Sequence, residues 1–309
     1  MDFLTGGLIV FGFILVKEGS EFIINKVDRV INNKWYMLME TLKLDNYKIK
    51  NKEVMEYGYK LLVDLLPGGT VSKIEENQEA IEKAYKCRCL INNIPFSNLV
   101  EIDLITKEIR GLKQPLMLLT DHELLLGYNL KGIPIIADMS STPHLGVVGI
   151  SKMGKSVCIE MALQAIQDKI NIMLINCFAD DFKNLQWRRI NDNEAMKEAL
   201  EDELNNKEWR EKPLYILIDE YNVLSKTVKK IDDVIQELLA QARHFNVFLI
   251  VIMQLGNKED CKFKNLFNCR LAFKTIEKQT ISAFLGCPVP DTNMKRQEFY
   301  LYHTETIKC

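Results

Sequence analysis

At 309 residues, with 47% apolar residues, 27% charged residues and a net charge of −2, the chain has room for one large and one smaller domain of ordinary folded composition. The near-neutral balance carries no global signature of a nucleic-acid-binding surface, although a ring can concentrate a few basic residues in a channel. None of the eight cysteines forms a C-x-x-C pair, which disfavours zinc and favours reduced, small core residues in a reducing compartment.

Residues 3–16 form an uncharged apolar run. As a helix it would be about 21 Å long, short of a hydrocarbon core of about 30 Å. A buried or interfacial helix and a short membrane anchor both remain open. Asp2 precedes the run and no Lys or Arg does, which argues against a signal peptide. Lys17, Lys26, Arg29 and Lys34 follow it, so an anchor here would leave the rest of the chain in the cytoplasm. Residues 21–35 then carry Phe22, Ile23, Val27, Val30 and Ile31 at helical spacing.

Residues 45–110 read as a small α/β unit. A strand over 57–66 ends at Pro67-Gly68-Gly69, helical periodicity runs from Thr70 to Tyr85, and strand-like runs follow at 87–91 and 99–104. No catalytic constellation appears there, and an oligomer-contact or structural role is the plain reading. The expected domains are 1–35, 36–120 and 121–309.

A hairpin over 124–138 feeds the second domain. The stretch Gly149-Ile150-Ser151-Lys152-Met153-Gly154-Lys155-Ser156 fits G-x-x-x-x-G-K-[ST], the phosphate-binding loop. The apolar run 145–148 before it suits a buried strand. Val157, Cys158, Met161, Ala162, Ala165 and Ile166 after it have helical spacing. The loop's backbone N–H groups and the helix start would cradle phosphates. Lys155 would reach the β- and γ-phosphates, and Ser156 would put its hydroxyl on Mg²⁺. A buried strand follows at 170–175. The charged stretch 178–211, with Asp180 and Asp181, reads as a solvated helical face, on which Lys183, Arg188 and Arg189 could touch DNA.

The run Leu214–Ile218 ends in Asp219 and Glu220, the Walker B arrangement: Asp219 for Mg²⁺ and Glu220 to polarise the attacking water. A helix over 231–245 leads to the apolar strand 247–253. Gln254 at its end lies where open α/β sheets bind ligand, which makes it a candidate γ-phosphate sensor. A strand at 270–274, a helix at 276–285 and a last strand at 298–302 complete a mostly parallel sheet with helices on both faces. The expected fold is therefore α/β, a RecA-like P-loop NTPase core preceded by a small α/β domain and an N-terminal apolar helix.

Several segments together resemble the FtsK/SpoIIIE DNA translocases: Pro143–Gly149 with the loop ending Gly154-Lys155-Ser156-Val157, the stretch Ala242–Gln254, and Lys264–Lys274. Tyr57–Gly69, Glu79–Glu82 and Leu126–Pro134 are closer to one branch, the FtsK-like coupling ATPases of Gram-positive conjugative plasmids and integrative elements. The resemblance spans roughly residues 55–302. It implies a homo-hexameric ring that drives double-stranded DNA through its centre with ATP and Mg²⁺, at the cytoplasmic face of a bacterial membrane, with a relaxase or secretion channel as partner. It raises the weight on residues 3–16 as an anchor. It matches Gln254 to the family's glutamine and Arg270 to an arginine near the subunit boundary, where a finger in trans would stabilise the transition state. The resemblance thus implies Glu220, Lys155, Gln254 and Arg270 as catalytic and Gly149 to Val157 as nucleotide-binding, with Ser156 and Asp219 for metal. Departures are Ser151-Lys152-Met153 in place of a Gly/Thr-rich loop, Asn176-Cys177-Phe178 where Asp-x-Lys is usual, and Leu255-Gly256 where Arg-Pro is common. They leave open a slow or partner-activated ATPase. The alternatives are a secretion or phage-assembly ATPase acting on protein, and a nucleotide-switched membrane adaptor. An intact Asp219-Glu220 pair argues against the adaptor.

Overall fold

The computed structural model describes residues 30–107, 118–178, 181–185, 187–254, 263–289 and 294–303. The apolar run 3–16 lies outside them. Among the described residues no helix is long and apolar enough to cross a membrane. They divide into two compact units, one up to residue 113 together with Asn129–Ile133, the other 114–128 together with the chain from Pro134 onward.

The first unit begins with helix α1 (30–41) and strands β1 (Tyr47–Met55) and β2 (Gly58–Leu65). Helices α2 (Val71–Glu76) and α3 (Gln78–Tyr85) follow, then β3 (Arg88–Asn93) and β4 (Leu99–Ile105). The helix expected over 70–85 is thus two helices. Asn77, at φ −101 and ψ 12, leaves helical geometry, and its Nδ2 donates to Lys73 O at 2.8 Å. That side-chain bond offers the backbone an alternative to the helical ladder. The sheet is antiparallel throughout in the order β1-β2-β4-β3. Its buried face holds Leu61, Val63, Val100, Ile102 and Leu104 against Trp35, Met39, Ile74 and Ile81 from the helices. Asp103, fully buried, accepts from Tyr57 Oη and pairs with Lys131, so its charge is compensated within the unit.

The second unit opens with the hairpin β5 (Glu123–Tyr128) and β6 (Pro134–Asp138). Then come β7 (Leu145–Val148), α4 (Lys155–Gln164), β8 (Asn171–Ile175), β9 (Arg188–Ile190), α5 (Asn193–Asn205) and β10 (Leu214–Ile218). Helices α6 (Tyr221–Thr227) and α7 (Ile231–Gln241) lead to β11 (Val247–Met253), and β12 (Cys269–Phe273), α8 (Lys278–Leu285) and β13 (Phe299–His303) close the unit. The charged stretch after β8 is not one helical face: it contains an edge strand and then α5. Seven strands form one sheet in the order β13-β12-β7-β11-β10-β8-β9, parallel except for β13.

Both faces of this sheet are covered, which is why its strands are continuous apolar runs. Ile216 and Ile218 of β10 and Leu249, Val251 and Met253 of β11 point into one core with α5, α6, α7 and α8. Tyr215, Leu217, Phe248, Ile250 and Ile252 point into the other, with α4 and the β5–β6 hairpin. Period-two alternation thus sorts an unbroken apolar sequence into two cores. The order also fixes the functional end. Strand β11 lies between β7 and β10, so the residue after β11 falls between the loop after β7 and the carboxylates after β10.

Candidate functional site

The loop after β7 is bent by Gly149, at φ +150, where an added Cβ would lie 2.7 Å from Phe273 Cβ. Ile150 N donates to Lys274 O at 2.9 Å, which fastens the loop to the end of β12. Helix α4 then starts at Lys155, so its first N–H groups have no intrahelical partner and point toward the loop's hollow. Lys155 is 8% exposed, and its Nζ donates to Gly149 O at 2.6 Å and Ile150 O at 3.0 Å. Burial lowers its pKa, while the charges of Asp219, Glu220 and Asp181 oppose that shift.

A cleft of about 300 Å³ opens over this loop. Its lining joins Ser151, Lys152 and Gly154 to Val157 with Asp219, Glu220 and Gln254, as the sequence expects, and adds Asp181 and Arg296. Gly149, Ile150 and Met153 form the loop beneath. Asp219 is buried. Burial pushes its carboxyl up to about 6, with Asp181 and Glu220 adding repulsion and the Glu220 N–H and Lys155 pulling the other way. Asp219 Oδ1 accepts from Glu220 N at 2.8 Å, and Asn176 Nδ2 donates to Asp219 O at 2.9 Å. Glu220 holds a left-handed backbone at φ +45, which turns the chain from β10 into α6 and leaves its carboxylate in the cleft. Gln254 Nε2 donates to Glu220 Oε1 at 3.2 Å, and Gln254 N donates to Asn222 Oδ1 at 3.0 Å. The glutamine and the acid thus touch across two strand ends.

Hard oxygen donors, the Ser156 hydroxyl and the Asp219 carboxylate, line the cleft with room for phosphate and water. A carboxylate whose proton affinity is raised by burial, and further by neighbouring carboxylates, gains from a divalent cation beside it. This donor set fits Mg²⁺, which takes one or two protein oxygens and completes its shell with water and phosphate. When bound there, Mg²⁺ would neutralise charge on phosphate oxygens.

Arg270 stands apart from this group. It is 8% exposed on β12, with Nε donating to Phe267 O at 3.0 Å and Nη1 to Phe284 O at 3.1 Å and Leu285 O at 3.2 Å. Its guanidinium also lies 4.8 Å from the Tyr302 ring centroid. These contacts turn the side chain into its own fold, where it ties β12 to α8 and β13. Arg189 is likewise engaged: it donates to the carbonyls of Phe178, Asp181 and Phe182 and so braces the loop that carries Asp181. The sequence alone assigns no site role to Asp181, Asn176, Asn222 or Arg296. Asn176 follows a buried parallel strand, the same signal that marks Gln254. Nothing local marks Asp181 or Arg296.

Strand, glycine loop, helix, acidic strand end and an intervening strand ending in glutamine together match the pattern of a P-loop nucleotide site. No protein-family model matches the chain. In sequence it is 25% identical over 179 residues to the DNA translocase FtsK of Treponema pallidum (strain Nichols), a match covering 52% of this chain. The chain spans 22% of the length of that curated relative. In structure it resembles the pCW3 conjugation coupling protein TcpA, in its monomer form with ATPγS. That match has a TM-score of 0.57 and 13% identity, over 88% of this chain and 91% of that one. It also resembles ATPases 2 and 3 of Thermomonospora curvata EccC in complex with a signal sequence peptide. There the TM-score is 0.50 with 14% identity, over 82% of this chain and 51% of that one. The resemblance carried by the motifs is met on both counts: an FtsK translocase in sequence, and a coupling protein in fold.

Proposed function

We propose that this protein is an ATP-driven motor for double-stranded DNA, a coupling ATPase of conjugative transfer built on a RecA-like core. The carrying observation is the convergence of Lys155, Ser156, Asp219, Glu220 and Gln254 on one cleft, in a chain whose sequence matches a DNA translocase. Lys155 and the loop N–H groups hold the triphosphate. Ser156 and Asp219 hold Mg²⁺. Glu220 orients and polarises the attacking water, and Gln254, bonded to Glu220, reports the γ-phosphate to it. Catalysis of this kind rests on positioning and charge stabilisation.

A hexameric ring, a relaxase or secretion-channel partner, anchoring through residues 3–16 and a place at the cytoplasmic face of the membrane complete the proposal. The test is ATP hydrolysis by the full chain with and without duplex DNA, with Lys155→Ala as control. Stimulation by duplex DNA of any sequence is expected, because a translocase grips backbone phosphates. Lys155-dependent hydrolysis that ignores DNA, under conditions where the chain assembles, would move the assignment to an ATPase acting on protein.

A further inference from the structure

The cleft holds one cation that the phosphate loop does not supply. Arg296 lines it together with Lys155 and Ser156, although it lies some 140 residues further along the chain. Its arm is clipped to the phosphate loop: Gln297 N donates to Met153 O at 2.9 Å. Gly154, at φ +103, packs against the same residue, and an added Cβ would lie 3.2 Å from Gln297 Cγ. A tight turn shapes the arm, with Lys295 N donating to Glu298 Oε2 at 2.8 Å and Glu298 N to Lys295 O at 3.2 Å. Met294 is buried on one side of the turn, and β13 pairs with β12 on the other. The backbone under Arg296 is therefore fixed relative to the phosphate loop. Its exposed guanidinium has no hydrogen-bond or ion-pair partner among the described residues.

Three carboxylates, Asp181, Asp219 and Glu220, share this cleft. A triphosphate entering it adds about four negative charges at neutral pH, which Lys152, Lys155 and one Mg²⁺ would offset only in part, so a further cation nearby is stabilising. Guanidinium matches phosphate with two parallel N–H···O bonds, and it is less costly to strip of water than ammonium. We propose that Arg296 is a phosphate-binding residue of its own subunit, which closes on the nucleoside triphosphate from the arm clipped to the phosphate loop. This rests on the nucleotide reading of the cleft, and it adds a ligand from the last strand's approach that acts in cis.

The test is equilibrium binding of Mg²⁺–ATPγS to the full chain and to Arg296→Ala, Arg296→Lys and Lys155→Ala, at protein concentrations where the chain is monomeric. Arg296→Ala should weaken binding about 10- to 100-fold, the range for losing a charge-assisted pair of hydrogen bonds. Arg296→Lys should recover part of the loss, and the melting temperature without nucleotide should not move, because the side chain is exposed. If Lys155→Ala loses binding while Arg296→Ala keeps wild-type affinity, the proposal is overturned and the nucleotide site stands. A loss in Arg296→Ala that lysine does not recover, with a matching fall in the nucleotide-free melting temperature, overturns it too, since the arm is then only structural. If the wild-type chain binds no nucleotide, both readings fall together.

Discussion

Among single residues, Glu220 and Arg270 give the proposed site its two most direct tests. In Glu220→Gln the amide oxygen still accepts from Gln254, so the site keeps its shape while losing a proton acceptor. ATP binding should persist and hydrolysis should fall by about 10²- to 10⁴-fold, the usual weight of a general base; normal turnover would place the base elsewhere. Arg270→Ala should act on stability. It strips partners from the carbonyls of Phe267, Phe284 and Leu285 inside the fold. A cost of about 2–4 kcal/mol is expected in denaturant melts, independent of protein concentration. A finger supplied to a neighbour would instead leave the melt unchanged and depress turnover only in the assembled state. His144 gives a pH signature. It is fully buried, and burial, aided by the charge of Arg243, lowers its pKa to about 3, below the ordinary 6.5. Its Nδ1 accepts from Leu249 N at 3.0 Å, so the folded form holds it neutral. Below about pH 6.5 the unfolded chain takes up a proton that the folded chain refuses, so stability falls as pH falls, by about 2 kcal/mol from this residue at pH 5. Asn tolerates the left-handed backbone at this position, φ +68, and offers an acceptor. The stability gap between wild type and His144→Asn should therefore narrow by that amount between pH 8 and pH 5. A constant gap would mean that the imidazole titrates alike in both states.

The elements that sequence reasoning found are those whose pattern is local. Strands β7, β8, β10 and β11 are buried on both faces, and each appears as an apolar run. Strand β1 leaves no signal in the sequence because it is a sheet edge: Tyr47 alone is buried along it, so no alternation survives. Helix α6 leaves little periodicity because it is short, and its buried side consists of Tyr221 and Leu224. The site divides in the same way. Gly149 to Val157 and the Asp219-Glu220 pair lie within single turns of chain. Asp181 and Arg296 reach the cleft only through the sheet order and a loop brace, which no periodicity records. Capping offers a test on an element whose charged sequence hides its role. Asp192 Oδ1 accepts from Glu194 N at 3.1 Å and Ala195 N at 3.0 Å, closing the start of α5, which buries Met196 and Leu200. Asp192→Ala should cost about 1 kcal/mol, read as a lower urea midpoint with unchanged slope. No change would mean that packing alone sets the helix start.

For the whole molecule, net charge bears directly on DNA. A chain at −2 has no uniform attraction to a polyanion, so a single copy should bind duplex weakly at physiological salt. Several copies arranged around a duplex would each bring the same few lysines and arginines to it, and their phosphate contacts would add. Basal hydrolysis and DNA-stimulated hydrolysis should therefore depend differently on concentration. With Lys155, Ser156, Asp219, Glu220 and Gln254 in one cleft of one chain, basal turnover per chain should change little with dilution, and a steep loss on dilution would mean that a neighbour supplies a catalytic group. The DNA-stimulated part should rise more steeply than linearly with protein concentration. It should also fall by orders of magnitude between about 50 and 200 mM salt, as expected when several phosphates are neutralised together. Rates measured across both ranges, with Lys155→Ala as the blank, decide the matter. Stimulation that is linear in protein and insensitive to salt would mean that DNA touches one chain through few charges, and the ring proposal would then fall while the ATPase site remained.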